Sequence, residues 1–311
     1  MPINMAKKRG RLTYSNLAND LKSYLELKNP LIDQTLDLLV PDLKVPYQKL
    51  FQAARYSLFS GGKRIRPVFA IAACETLGGD GKKALIPACA LEMIHTYSMI
   101  HDDLPCMDND DFRRGKPTLH NAFPESHALL AGDFFLTKAF EVLSEAPHLK
   151  DDQKLRLISI LAKNAGGHGM IGGQILDMEA EEKALDLKEI CFIHHCKTGA
   201  LLSAALQFGG IIADANVSEI EILKKFGEDI GLAFQIIDDI LDVTASEVKH
   251  GKKMASDINN KKQTYVTIRG IQASKVDADQ LFNSALDKLK SLSHPTSLLA
   301  DLAKFVVERK Y

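Results

Sequence analysis

The residues best suited to chemistry are two clusters of aspartate. One reads Phe234-Gln235-Ile236-Ile237-Asp238-Asp239-Ile240-Leu241-Asp242. Asp238 and Asp242 are four apart, so on a helix both carboxylates share one face. Two like charges repel there, and bare carboxylates among Ile and Leu are costly, so something positive must face them. A hard cation such as magnesium takes carboxylate oxygens and keeps its other positions for water or phosphate. The other cluster reads His101-Asp102-Asp103-Leu104-Pro105-Cys106-Met107-Asp108-Asn109-Asp110-Asp111. Asp102 and Asp108 are six apart and diverge on a regular helix, but Pro105 between them should distort or end it. A bulge that returns Asp108 to the face of Asp102 is expected. Either cluster alone reads equally well as a solvated acidic surface or a capping carboxylate. Two clusters, each ending a strongly apolar helical pattern, weaken that reading. An EF-hand fails, because its loop spacing and glycine are missing.

Cations gather in separate places. Gly61-Gly62-Lys63-Arg64-Ile65-Arg66-Pro67 follows a glycine turn with three cations in four residues. It is not a P-loop, since the GxxxxGK[ST] pattern fails. Glycine still lets backbone N–H groups approach an anion, and an arginine can grip phosphate with two donors. Alone, the motif reads as a helix start with basic decoration. Arg113, Arg114 and Lys116 follow the first acidic cluster, Lys197-Thr198 follows His194-His195, and Lys252, Lys253, Lys261 and Lys262 lie in a polar stretch. His95 sits on an apolar helical pattern, where a histidine is more often packed core than ligand. Basic spots beside two carboxylate clusters suit a magnesium-bridged diphosphate.

The elements that position these groups read as helices. Between residues 148 and 294 there is no proline, and apolar residues recur at helical spacing, as in Ile190 to Phe208 and Ile220 to Leu241. Gly166-Gly167, Gly172-Gly173 and Gly209-Gly210 mark helix ends or close helix contacts. Alternating strand patterns are scarce, and about ten or more helices are expected. Residues 1–30 read as a lead-in helix with loose ends, and 244–263 as a surface loop near the site. No linker divides the chain, so residues 1–311 are expected to form one all-α domain.

Composition excludes several functions. The 311 residues carry 39 Lys and Arg against 40 Asp and Glu, a net charge of -1 that gives no reason to expect nucleic acid or an anionic membrane. The five cysteines form no CxxC pair, which argues against zinc and a disulfide framework and for a reducing, cytoplasmic home. The basic N-terminus lacks an apolar signal region, and no run of eighteen apolar residues suggests a membrane span.

These motifs together resemble the trans-isoprenyl diphosphate synthases. The resemblance rests on Gly62-Lys63-Arg64-Ile65-Arg66-Pro67, the run from Leu91 to Pro105, Arg113-Arg114-Gly115-Lys116-Pro117-Thr118, Gly172-Gly173-Gln174, Lys197-Thr198-Gly199-Ala200 and the run from Phe234 to Asp242. It extends from about residue 45 to the C-terminus, and the bacterial farnesyl diphosphate synthases look most similar. The resemblance implies an all-α bundle around a deep central cavity, usually a homodimer. It implies that Asp102 and Asp108, with Asp103, hold two magnesium ions, and that Asp238, supported by Asp239 and Asp242, holds a third. Arg113, Lys197, Thr198, Gln235 and Lys262 would hold an allylic diphosphate. Lys63, Arg66, His95 and Arg114 would hold isopentenyl diphosphate, with Gly62 lending backbone. Asp102, Asp103, Asp108, Asp238 and Lys197 would carry the catalysis. Tyr97, beside Ser98, would floor the cavity and stop growth near fifteen carbons, although leucine- and methionine-rich surroundings also resemble twenty-carbon synthases, and a ten-carbon product fits as well. One departure is Ala255-Ser256-Asp257 where many relatives carry Gly-Lys-Asp; Lys252 or Lys253 would have to substitute.

Rival classes are a His-Asp metal phosphohydrolase, suggested by His101-Asp102 but short of further histidines, and a non-catalytic regulatory subunit, which would be expected to lose aspartates. A terpene cyclase is disfavoured because the second cluster is acidic throughout.

Overall fold

A computed structural model describes residues 14–180, 183–250 and 263–308. Its main helices are α1 (Tyr14–Leu39), α2 (Gln48–Leu58), α3 (Ile65–Thr76) and α4 (Gly81–Asp102). After a short ribbon come α5 (Leu119–Ala122), α6 (Glu125–Ser144), α7 (Asp151–Ala165), α8 (Met170–Glu179) and α9 (Leu187–His194). The C-terminal part holds α10 (Ala200–Ile212), α11 (Val217–His250), α12 (Tyr265–Arg269), α13 (Ile271–Leu289) and α14 (Ser297–Val307). The all-α expectation holds.

The bundle is organised around α10. Its sequence, ALLSAALQFGGII, is apolar on every side, and all thirteen residues are buried. A helix of that kind must be wrapped completely, and α3, α4, α7 and α11 do so. Gly209 is needed because any side chain there would collide with the backbone of Ala70 on α3. A second pairing, α4 against α6, and a third, α11 against α13, extend the layer on either side. The main core runs from Ile32 to Val307, and a smaller cluster joins α9, α11, α12 and α13 around Ile236, Ile240 and Tyr265.

Two sequence boundaries move. The N-terminal helix does not stop at residue 30 but continues through Pro30 to Leu39, and Ile32 and Leu36 are fully buried. Burial of that apolar stripe outweighs the hydrogen bond that proline removes. The polar stretch expected as a loop from residue 244 is helical to His250, as the end of α11. Extending an existing helix costs little once it is nucleated, so polarity alone does not end one. Thr244 still bonds back to the Ile240 carbonyl at 2.9 Å. Residues 251–262, with Lys252, Lys253, Lys262 and the Ala255-Ser256-Asp257 departure, lie outside the described residues.

Two irregular elements matter for the site. Phe112–Arg113 and Lys116–Pro117 form an antiparallel ribbon, β1 and β2. Its two turn residues, Arg114 and Gly115, have φ of 53° and 76°, as a tight two-residue hairpin requires. Between α9 and α10, residues His195–Gly199 form a π-helical turn, a local widening that often accompanies function.

Candidate active site

The first acidic wall forms where α4 ends. Asp102 is its last residue. The Asp108 N–H then donates to the Asp102 carbonyl at 2.9 Å, and Asn109, at a φ of 53°, donates to the Leu104 carbonyl. Buried Leu104 anchors this turn. The expected bulge at Pro105 thus exists, and it brings Asp108 back beside Asp102. Burial pushes the Asp102 carboxyl up to about 6; Lys197 pulls against that shift and Asp108 adds to it. The same interactions locate Lys197 and Asp108 as the charges Asp102 feels most strongly.

Asp103 faces the other way. It is 4% exposed, and its Oδ1 accepts from Arg113 Nε at 2.6 Å and pairs with Nη2 at 2.5 Å. Arg113 also reaches Asp110 at 3.1 Å. Asp103, expected on a metal, is paired with Arg113. Adjacent helical residues point about 100° apart, which is why the Asp102 and Asp103 carboxylates take different partners here.

The second wall lies along α11. Gln235 and Phe234 line a cavity of about 760 Å³. Asp238 and Asp242 follow Gln235 by three and seven residues, which puts them on its face. Asp239 is turned aside: its Oδ2 accepts the Tyr265 N–H at 2.8 Å at the start of α12, and His194 Nε2 lies 3.7 Å away. On α4 the same arithmetic applies, since His95 lines that cavity and Asp102 follows it by seven.

The cavity gathers residues from distant parts of the chain. Its lining includes Gly62, Lys63, Arg66, His95 and Arg114, and also Thr198 and Gln235. Gly61 and Gly62 have φ of 107° and 142°, and a side chain at Gly62 would sit 2.8 Å from the Arg114 guanidinium. Arg114 donates to the Gly61 carbonyl. Burial, despite a favourable Glu92, lowers the proton affinity of both Arg66 and Arg114, and Arg66 Nε has no hydrogen-bond partner. Burial, and then Arg66, Arg114, Arg64 and Arg113, hold His95 well below the usual histidine value. His95 is therefore neutral and able to donate one hydrogen bond among cations. Such a pocket calls for an anion.

Lys197 and Thr198 come from the π-helical turn. Gly173 of α8 packs so closely that a side chain there would meet the Lys197 backbone nitrogen at 2.5 Å. Lys197 Nζ donates to Asp177 at 2.7 Å, so α8 aims the lysine that Asp102 senses. Tyr97 is 5% exposed and stacks edge-on against His101 at 5.6 Å. Its hydroxyl is buried without a partner, and burial with help from Asp102 pushes it up to about 12. Ser98 donates to the His95 carbonyl at 2.9 Å.

Several participants escaped the sequence reading. Arg64, counted there only as one of three cations, is ion-paired to buried Glu92 and half-exposed Asp33. Asp177 follows the quoted Gly172-Gly173-Gln174 by one helical turn, a usable signal. Phe305 and Val306 of α14 reach the cavity wall, with Lys63 Nζ 5.7 Å from the Phe305 ring centre; nothing local in that apolar helix announced them. His101, the basis of the phosphohydrolase rival, contacts the Leu129 carbonyl of α6 at 3.0 Å. Among the described residues no three His, Cys, Asp or Glu side chains converge on one metal. Oxygen-only donors in pairs still fit magnesium, which is held by one or two carboxylates while substrate phosphate and water complete its shell.

A helical bundle with two acidic walls beside a cationic pocket defines a class of diphosphate-handling transferases. The polyprenyl synthetase family matches residues 47–300, and the chain belongs to that family as a prenyltransferase. It is 47% identical to the farnesyl diphosphate synthase of Micrococcus luteus over 84% of this chain and 89% of that protein. It is 45% identical to the heterodimeric geranylgeranyl pyrophosphate synthase large subunit 1 of Arabidopsis thaliana, over 94% of this chain and 80% of the relative. A crystal structure of an FPP/GFPP synthase from Zymomonas mobilis matches with a TM-score of 0.84 and 37% identity, over 93% and 99% of the two chains.

Proposed function

We propose that the protein joins isopentenyl diphosphate to dimethylallyl or geranyl diphosphate, releasing farnesyl diphosphate and inorganic diphosphate. The observation that carries this reading is the one cavity shared by the cationic set Gly62, Lys63, Arg66, His95 and Arg114 and by Thr198 and Gln235 of the other wall. Such a cavity would let two diphosphates bind within reach of each other, as a condensation between two diphosphate esters needs.

Arg66, Arg114, Lys63 and neutral His95 grip isopentenyl diphosphate. Lys197, Thr198, Gln235 and Arg113 hold the allylic diphosphate, with Lys262 as a further donor. Asp102, Asp108, Asp238 and Asp242 would hold magnesium, three ions by the family resemblance, which when bound would supply electrophilic pull on the leaving diphosphate. The allylic carbon–oxygen bond breaks, and the double bond of isopentenyl diphosphate attacks the allylic cation. Apolar Leu202, Phe234, Phe305 and Val306 keep water from that cation. A proton is then lost to the departing diphosphate. Tyr97 closes the chain pocket near fifteen carbons.

The enzyme works as a homodimer in the cytoplasm. Exposed Leu129 and Leu130 on α6 support a covered face, and the cysteines, all free, support a reducing compartment. None of the described helices is long and apolar enough to cross a membrane. The similarity to a geranylgeranyl pyrophosphate synthase subunit keeps a twenty-carbon product as the second reading.

The test supplies dimethylallyl and isopentenyl diphosphates with magnesium and chromatographs the products with and without chelator. A fifteen-carbon diphosphate that disappears with chelator is expected. Release of phosphate without a new carbon–carbon bond would overturn the proposal.

A further inference from the structure

Glu92 is a buried carboxylate that the chemistry above does not use. It lies on α4 one turn before His95 and is 3% exposed. Its Oε1 accepts from Arg64 Nη1 at 2.8 Å. Arg64 also donates to Asp33, at 2.9 Å from Nε, and to the Leu58 carbonyl, at 2.7 Å from Nη2. Burial works against the Arg64 charge, but Glu92 and Asp33 outweigh it. The guanidinium is thus clamped at the cavity wall, which Arg64 and Glu92 both line, between buried Glu92 and half-exposed Asp33.

The backbone explains why such a pin is needed. Gly61, Gly62 and Arg64 all have positive φ, and Arg64 does so at 49° without being glycine. A non-glycine residue in that region is strained and persists only when its surroundings enforce it. Arg64 also immediately precedes α3, whose second residue is Arg66. The direction of the Gly62-Lys63 backbone and the start of α3 are therefore both fixed through one side chain. Glu92 additionally supplies the favourable charge felt by Arg66 and Arg114.

We infer that Glu92 is a positioning residue for isopentenyl diphosphate, acting through Arg64 to hold the Gly62-Lys63-Arg66 loop in its phosphate-gripping shape. This rests on the proposed function, because the loop's ligand is taken from it. The inference separates the two substrates: a pin on this loop governs isopentenyl diphosphate and leaves the allylic diphosphate, held from β1, the π-helical turn and α11, untouched.

The experiment compares Glu92→Ala, Glu92→Gln and Asp33→Ala by steady-state kinetics, varying each diphosphate in turn. Glu92→Ala should raise KM for isopentenyl diphosphate by about tenfold or more, the scale of one charge-assisted hydrogen bond. KM for the allylic diphosphate and kcat should stay within about threefold. Glu92→Gln keeps an oxygen acceptor for Arg64 and should restore most of the loss, even if the alanine variant does not fold. Asp33→Ala, at the exposed end of the same guanidinium, should move the same KM in the same direction by less. An equal rise in both KM values, a fall in kcat alone, or no change in KM in Glu92→Gln and Asp33→Ala together with Glu92→Ala would overturn the inference. A wild-type chain that makes no prenyl diphosphate fails the functional reading instead. In that case calorimetric binding of isopentenyl diphosphate to wild type, Glu92→Ala and Asp33→Ala still decides whether the pin exists: weaker binding in both variants supports it, and unchanged binding overturns it.

Discussion

The two acidic walls solve one problem on different backbones. The first stands at the C-terminus of α4, where the helix dipole already disfavours negative charge, and Asp102 is pushed up to about 6 by burial. It needs an irregular turn, with Asp108 bonded back to the Asp102 carbonyl, to bring a second carboxylate alongside. The second wall lies within unbroken α11, where four-residue spacing does the same work without distortion. Yet the two share a division of labour. In each, the second aspartate of the adjacent pair is turned into the protein: Asp103 holds Arg113, and Asp239 holds the first backbone N–H of α12. Adjacent helical side chains diverge by about 100°, and in each pair the second carboxylate has a partner within the protein.

This division can be broken experimentally. The largest effect is expected at Asp102 and Asp238. Alanine at either should cost at least about 100-fold in kcat, the scale of losing one preorganised electrostatic contact; near-normal turnover in Asp102→Ala would defeat the assignment. The protein-paired aspartates should behave otherwise. Asp239→Asn keeps an oxygen for the Tyr265 N–H, so its loss should stay within about tenfold, a single neutral hydrogen bond being worth roughly 1 kcal/mol. Asp238→Asn should not be spared in this way. Equal losses in Asp238→Asn and Asp239→Asn, measured at saturating magnesium, would erase the distinction between the two.

How much of this was legible depended on the kind of signal. Helical period and the proline-free run made the bundle readable, but the absence of proline was a sufficient sign and not a necessary one. Pro87 sits within α4, and Pro30 within α1, because deep burial of Ile32, Leu36 and Leu91 overrides a lost backbone bond. Polarity misled at residues 244–250, where helix propagation prevailed. In the site, spacing exposed the pairs Asp102/Asp108 and Asp238/Asp242. The pairing of Arg64 was not readable, because its partners Asp33 and Glu92 are 31 and 28 residues away. Phe305 needed the tertiary return of α14 to the cavity. Contacts of that range are written in the packing and leave no local pattern.

Tyr97 offers a sharper contrast within the first wall. Its ring packs against His101, while its hydroxyl is buried with no partner. If the ring is the floor, Tyr97→Ala lengthens the prenyl product and Tyr97→Phe leaves it unchanged. Removing an unsatisfied buried hydroxyl should also leave stability equal or up to about 1 kcal/mol higher, which thermal or denaturant unfolding would read. A product profile unmoved by Tyr97→Ala would take the residue out of that role.

The smallest effect concerns the pocket that faces the walls. His95 is held well below 6.5 by burial and by four arginines. Its folded form therefore binds fewer protons than the unfolded chain as pH falls through 6.5. The sign follows from linkage: the neutral imidazole supports the fold above that pH, and this support is lost progressively below it. In imidazole-detected NMR, His95 should remain neutral through the range in which an exposed histidine titrates, and Arg66→Met should move its titration upward by removing a neighbouring charge. A His95 that titrates near 6.5 in the wild-type protein would mean that the arginines do not converge on it, and the cationic pocket would lose its centre.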